Sequence, residues 1–567
     1  MKALVRTLFL IVAISLTASL ALAAVVSPDD KQPKTRYVPN QIIVGFKNDT
    51  KATFGAQGLR SSAIDSLHSK FQVESIRPLY QQHIRKDIAV SKVRKEAETV
   101  YILKFAKDVD AIAAARQYAA LPEVRYAEPD YIRTIQRVEP NDLYWSTSNS
   151  WGQGYRDQWD MEIINCPAAW EIQTGKASTI IAVLDTGVDY NHPDIAANMW
   201  SNPGEIPGNG IDDDGNGFID DYYGFDFCAS SADPLDDNGH GTHCAGTIGA
   251  VGNNSIGIAG MNWNCSIMAV KVLDSTGNGP DSNLVAGLVY AADNGAKVIN
   301  MSLGGAERSQ TLSDAIEYAH ERGCVLVVSA GNGNSDFAAD YPAADNRCIT
   351  VAASDQYDQK CYFSSWGVKT AVAAPGGGPI NAGPPCSQYN CLSLRANGTD
   401  RLPASCGPGV GIIGEYYCRL AGTSMACPHV AGLAALLISQ YPTWTNEQIR
   451  QAIQMRADDI LEPGFDVYSG FGRINAYASL TSPVPLQALI TYPINGDKIW
   501  NALTIMGTAA GPGFESYTLD YGFGHNPAVW TNIETNSAPV SNGGLATWDP
   551  RGLEPGTYTL RLRTTST

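Results

Sequence analysis

Residues Thr179–Gly187 read TIIAVLDTG, an apolar run that ends at an aspartate, a threonine and a glycine. A strand with one wet face alternates apolar and polar side chains, so a run without alternation is covered on both faces. Four more runs of this kind follow: SIMAVKVLD (266–274), AKVINMSLGG (296–305), CVLVVSAGN (324–332) and CITVAAS (348–354). Between them, LVAGLVYAADNG (284–295) and LSDAIEYAHERG (312–323) have helical spacing and end in glycine, where a left-handed cap is easy. Doubly covered strands separated by helices predict an α/β fold, a doubly wound parallel sheet, within residues 137–482. Functional groups of such a sheet gather at the carboxyl ends of its strands. Asp185, Ser302–Gly305 and Ser329–Asn332 all fall at such ends.

The chain on either side of this domain reads differently. In residues 24–136, QIIVGF and TVYILKF are strand-like, DVDAIAAARQYAA is helical with Asp110 near its start, and EVRYAEPDYI alternates. These make a small α/β unit. From 483 to 567, LTIMGTAAG, FESYTLDYG and GTYTLRLRT alternate between Gly, Pro and Asn breaks, as in a β-sandwich. The sequence stops almost within a strand, which leaves open a sandwich that continues past Thr567.

Residues 1–23, MKALVRTLFLIVAISLTASLALA, have the form of a secretory signal peptide: Lys2 and Arg6, an apolar run, then Ala21-Leu22-Ala23 as the cleavage site. A signal anchor is the competing reading. No later run is long and apolar enough to span a bilayer, so the expected protein is secreted, extracellular or attached to the cell surface. All 12 cysteines lie between Cys166 and Cys427, and an even number in an exported chain predicts disulfides. Cys386, Cys391, Cys406 and Cys418 crowd one Gly/Pro-rich segment that two bridges could staple, at spacings unlike a zinc ribbon or finger. Residues 24–140 carry 19 Lys and Arg against 14 Asp and Glu, while residues 141–567 carry 19 against 43. A mildly basic front end on an acidic remainder argues against a nucleic-acid partner and suits attraction between the two parts.

Asp237–Gly246, DNGHGTHCAG, carries two histidines three residues apart, which fit either the corner of a zinc site or a catalytic base at a helix start. In LAGTSMACPHVAGLAALLIS, Ser424 precedes a long helical run, so its hydroxyl lies at a helix N-terminus where unpaired N–H groups favour negative charge. A serine nucleophile needs a base, and the base needs an orienting carboxylate. His240 and Asp185 supply these residue types, and Asn332 at a strand end could donate to an oxyanion.

VLDTGVDYNHPDI, DNGHGTHCAGTIGA, SLGG, SAGN and AGTSMACPHVAG, taken together and in this order, resemble the sequence blocks of subtilisin-like serine proteases. The resemblance implies Ser424 as nucleophile, His240 as general base and acid, and Asp185 as orienting carboxylate. It implies Asn332 and the Ser424 backbone N–H as oxyanion donors, which decides against zinc at His240. It implies peptide binding along Ser302, Leu303, Gly304 and Gly305, with Ala330 and Gly331 flooring the primary pocket. With no acidic group placeable in that pocket, the expected preference is broad or apolar and not dibasic. Cys244 and Cys427 would lie under the catalytic helices as buried thiols, with a disulfide between them as the alternative. Residues 24–136 resemble the family's inhibitory prodomain, with self-cleavage within a few residues of Gln136.

The insert NGIDDDGNGFIDDYYGFDF places Asp212, Asp214, Asn216, Gly217 and Asp220 at positions one, three, five, six and nine of a calcium loop. Position twelve is Tyr223 where such loops have Glu, so Asp221 or Asp226 is expected to complete a structural Ca2+ site. The expected whole is a monomeric, calcium-stabilised zymogen acting on polypeptides, inhibited by its own prodomain. A narrow processing protease and a silent binding protein that keeps the fold are the rivals.

Overall fold

The computed structural model describes residues 37–47, 53–55, 58–79, 99–106, 109–131, 138–147, 155–338, 340–378, 389–401 and 411–566. The signal peptide, the self-cleavage region around Gln136, Cys386 and Cys406 lie outside the described residues. The chain divides into two compact units, residues 1–136 and 137–567.

In the front unit, β1 (Tyr37–Phe46), β2 (Val73–Pro78), β3 (Val100–Phe105) and β4 (Val124–Tyr131) form an antiparallel sheet in the order β2-β3-β1-β4. Helices α1 (Ser62–Lys70) and α2 (Ala111–Ala119) begin at capping side chains. The Ile64 N–H donates to Ser61 Oγ, and the N–H groups of Ile112 and Ala113 donate to the Asp110 carboxylate. Ile42, Val44 and Leu103 pack with Ile64, Ala114 and Tyr118 in the core between sheet and helices.

The second unit is built on a seven-stranded parallel sheet. Its strands are β5 (Ile180–Asp185), β6 (Gly224–Asp226), β7 (Ser266–Lys271), β8 (Val298–Met301), β9 (Val325–Ser329), β10 (Cys348–Ser354) and β11 (Thr370–Pro375). They lie in the order β11-β10-β9-β8-β5-β7-β6. The unbroken apolar runs are explained by packing on both faces. Ile181, Val183, Val325 and Val327 face α3 (His240–Gly249) and α6 (Thr423–Gln440). Ala182, Leu184, Leu326 and Val328 face α4 (Asp281–Asp293) and α5 (Gln310–Glu321). Each large aliphatic side chain buried this way contributes about 1.5–3 kcal/mol.

The cysteine-bearing insert forms a small antiparallel sheet of β12 (Cys391–Leu394), β13 (Ile412–Ile413) and β14 (Tyr417–Leu420). The expectation of disulfides does not hold here: the ten cysteines among the described residues are all free thiols. Several of the thiols donate to backbone carbonyls, while Cys166 lies against the sulfurs of Met161 and Met261. The Cys391 thiol donates to Pro375 O at 3.5 Å and the Cys418 thiol to Leu394 O at 3.5 Å. Nine of the ten are buried, which keeps them protonated and behaving as small hydrophobes.

At the C-terminus, β15 (Gln487–Tyr492), β16 (Leu503–Ala510) and β19 (Val540–Trp548) form one sheet. Strands β17 (Phe514–Phe523), β18 (Thr531–Asn536) and β20 (Tyr558–Ser566) form the other. Ile505, Leu545 and Trp548 pack against Tyr517 and Leu519 between the sheets, and the Tyr517 hydroxyl donates across to Leu545 O at 2.6 Å. The sandwich is tied to α7 (Asn446–Met455) and the sheet loops: Gln451 donates to Ala488 O and Asn346 to Pro493 O. No helix among the described residues is long and apolar enough to cross a membrane.

Candidate active site

Asp185 ends β5 and is fully buried. Its Oδ1 accepts the Thr186 N–H at 2.8 Å and bonds His240 Nδ1 at 2.7 Å. His240 is the first residue of α3, after Gly239 in a left-handed conformation (φ +105°). The helix start is held by Asp236, a buried carboxylate that accepts the N–H groups of Asn238, Gly239 and Thr242 and the hydroxyls of Thr186 and Thr242. Burial pulls the His240 pKa down, but the charge and hydrogen bond of Asp185, helped by Asp236, outweigh it and leave the pKa above its ordinary value.

His243, one turn later, points into the interior. It bonds Cys391 O at 3.2 Å and is held neutral, its pKa pushed down to about 3 by burial and by His240. Ligating atoms of Asp185, His240 and Cys244 do lie within 4.8 Å of one another, a grouping the sequence did not reveal. Yet His240 Nδ1 is engaged by Asp185, and burial holds the Cys244 thiol well above its ordinary pKa, so it is not the thiolate that metals bind.

Ser424 is the second residue of α6. Pro428 stands four residues on and has no N–H, so the Ser424 carbonyl lacks its helical donor. The Ser302 hydroxyl (3.0 Å) and the Cys244 thiol (3.4 Å) donate to it instead, and this is where α3, α6 and the end of β8 meet. Ser424 Oγ donates to Ser302 O at 3.2 Å and makes no hydrogen bond to His240 in this conformation. Asn332 Oδ1 accepts both the N–H and the hydroxyl of Thr423 at 2.9 Å, which fixes the side-chain amide and leaves Nδ2 as the exposed donor. Leu303 and Gly304 have no backbone partners among the described residues, while Gly305 exchanges backbone hydrogen bonds with Tyr341.

The acidic loop gathers differently from its spacing. Carboxylate oxygens of Asp212 and Asp214 lie within 4.8 Å of those of Glu205, a residue outside the motif. Asn216 donates to Asp214 and to the buried Asp221. Asp220 is instead occupied by the N–H groups of Asn209 and Gly210, Asp226 by those of Cys228 and Ala229, and Tyr223 stacks on Tyr190.

Residues 176–472 match the model of the subtilase family. This chain belongs to that family. The subtilase is 34% identical over 448 residues to the thermophilic serine proteinase of Bacillus sp. (strain AK1), covering 79% of this chain and 89% of that one. It is 39% identical over 341 residues to thermitase of Thermoactinomyces vulgaris, covering 60% of this chain and 99% of that one. Residues 23–130 match the fervidolysin N-terminal prodomain. Fervidolysin of Fervidobacterium pennivorans is itself 35% identical over 480 residues, 78% of this chain and 64% of that one. The protein is therefore a serine endopeptidase with a prodomain. Asp236, Thr423 and Glu205 are the site residues that sequence reasoning missed. Asp236, four residues before His240, and Thr423, directly before Ser424, lie close enough in sequence to have been suspected.

Proposed function

We propose that this subtilase is a secreted zymogen that hydrolyses peptide bonds through Asp185, His240 and Ser424 and matures by cutting its own chain near Gln136. The observation that carries this is the 2.7 Å bond from Asp185 to His240 Nδ1, which aims Nε2 outward as a base. The mechanism requires the Ser424 side chain to turn from Ser302 O, to which its hydroxyl donates, toward that base. His240 takes the Ser424 proton as Oγ attacks the carbonyl carbon, then gives it to the leaving amine. Asn332 Nδ2 and the Ser424 N–H stabilise the oxyanion. Water deprotonated by His240 then releases the acyl group. The substrate backbone would add as a strand to Leu303 and Gly304.

The acidic loop supports calcium, because Glu205, Asp212 and Asp214 are hard oxygen donors with no cationic side chain paired to them among the described residues. These three, with Asn216 and Asp221 behind them, would hold the ion, whose role is to neutralise and stiffen the loop. The reaction itself runs on protein groups.

The reading is tested by expressing wild type and Ser424→Ala with calcium and sequencing both N-termini. Only wild type should begin near residues 134–142. Two chains that both start at the signal-peptide cut would refute self-processing, and failure to label with a fluorophosphonate would refute a reactive Ser424.

A further inference from the structure

Under the reading above, Ser302–Gly305 bind the substrate backbone and Ala330–Gly331 floor the primary side-chain pocket, and beside Gly331 stands a carboxylate without a role so far. Gly305 N–H donates to Tyr341 O at 2.9 Å and Tyr341 N–H returns to Gly305 O at 2.8 Å. That pairing fixes Tyr341, the residue after Asp340, beside Gly305. At the floor, a Cβ placed on Gly331 would lie 3.4 Å from Ser365 Oγ and 3.9 Å from a carboxylate oxygen of Asp340. Gly331 has no Cβ, and its φ of +97° strains any other residue, so this volume stays open and the Asp340 carboxylate borders it.

Asp340 is half-buried, and among the described residues its carboxylate has neither an ion-pair partner nor a hydrogen bond. Its acidic neighbour Asp336 is occupied by the Ala338 N–H at 2.9 Å and the His525 ring at 3.3 Å. Burial, with the Asp336 charge, raises the Asp340 pKa, as happens to a carboxylate lacking a counter-charge. An apolar substrate side chain would desolvate this charge and pair it with nothing. A lysine or arginine would lay its methylene stem along the pocket walls and carry its charge to the carboxylate.

We infer that Asp340 is the specificity residue of the primary pocket and that this protease selects lysine or arginine immediately before the scissile bond. The inference rests on the serine-protease reading and replaces the apolar preference expected from sequence, in which Asp340 had no visible place.

The experiment compares peptides differing only in that residue (Lys, Arg, Leu, Phe or Glu), using wild type, Asp340→Asn, Asp340→Glu and Asp340→Lys enzymes counted by fluorophosphonate labelling. Wild type should show kcat/KM for Lys and Arg at least about tenfold above Leu, a ratio that collapses in Asp340→Asn and survives in Asp340→Glu. Asp340→Lys should shift the preference toward Glu. A labelled wild type that prefers Leu or Phe overturns the inference, as does an unchanged Lys-to-Leu ratio in Asp340→Asn. A wild type that neither labels nor cleaves overturns the serine-protease reading itself, and this inference with it.

Discussion

The pH response of the site belongs to one side chain. In the proposed mechanism His240 acts as a base only when neutral, so kcat/KM should rise with pH through its pKa. In the folded enzyme that pKa lies above the ordinary 6.5, because Asp185 and Asp236 favour the imidazolium more than burial opposes it. Asp185→Asn removes the larger favourable charge and leaves the burial, so the acid limb should move to lower pH. The plateau should also fall by about four orders of magnitude, since the ring loses its orienting acceptor. A kcat/KM profile with an unmoved acid limb would mean that another group governs it. Asp185, His240, Ser424 and Asn332 could be proposed from the sequence because the blocks that hold them resemble those of subtilisin-like proteases, each beside a strand end or helix start. Asp340 could not: it lies eight residues past Asn332 and comes beside Gly331 only in the fold, which no local pattern encodes.

The acidic loop between β5 and β6 shows how far a spacing rule carries. Oxygen-bearing residues on alternate positions singled out Asp212 and Asp214, whose carboxylates do gather, but the third carboxylate, Glu205, comes from before the motif, and Asp220 turns away to cap a neighbouring turn. Three carboxylates within 4.8 Å repel one another unless a cation lies among them. Calcium at about a hundred times its Kd would stabilise the fold by about 2.7 kcal/mol. In the Ser424→Ala background, where self-digestion cannot interfere, Tm should therefore rise on calcium addition and fall with a chelator. Asp214→Asn should lose most of that rise. An equal calcium response in the variant would place the ion elsewhere.

At the scale of the whole chain, the parallel sheet was legible because strands buried on both faces cannot alternate, and the sandwich because its strands do. The contacts that join sandwich to sheet were not, since Gln451–Ala488 and Asn346–Pro493 are single polar contacts between segments far apart in sequence. The expectation of disulfides is not met among the described residues for a related reason: an even cysteine number does not set pairing, which depends on which elements meet. Charge distribution is a property that survives without any contact list. Residues 24–140 carry five more Lys and Arg than Asp and Glu, and residues 141–567 carry 24 fewer. If this contrast helps a cleaved prodomain stay bound and inhibitory, salt should release it, because the Debye length shrinks from about 10 Å at 0.1 M to about 3 Å at 1 M. Freshly processed enzyme, assayed on a short peptide before the prodomain is degraded, should gain activity as sodium chloride is raised. The same enzyme freed of its prodomain should not. A latency indifferent to salt would assign the inhibition to shape and apolar contact, leaving the acidity of the mature part to solubility alone.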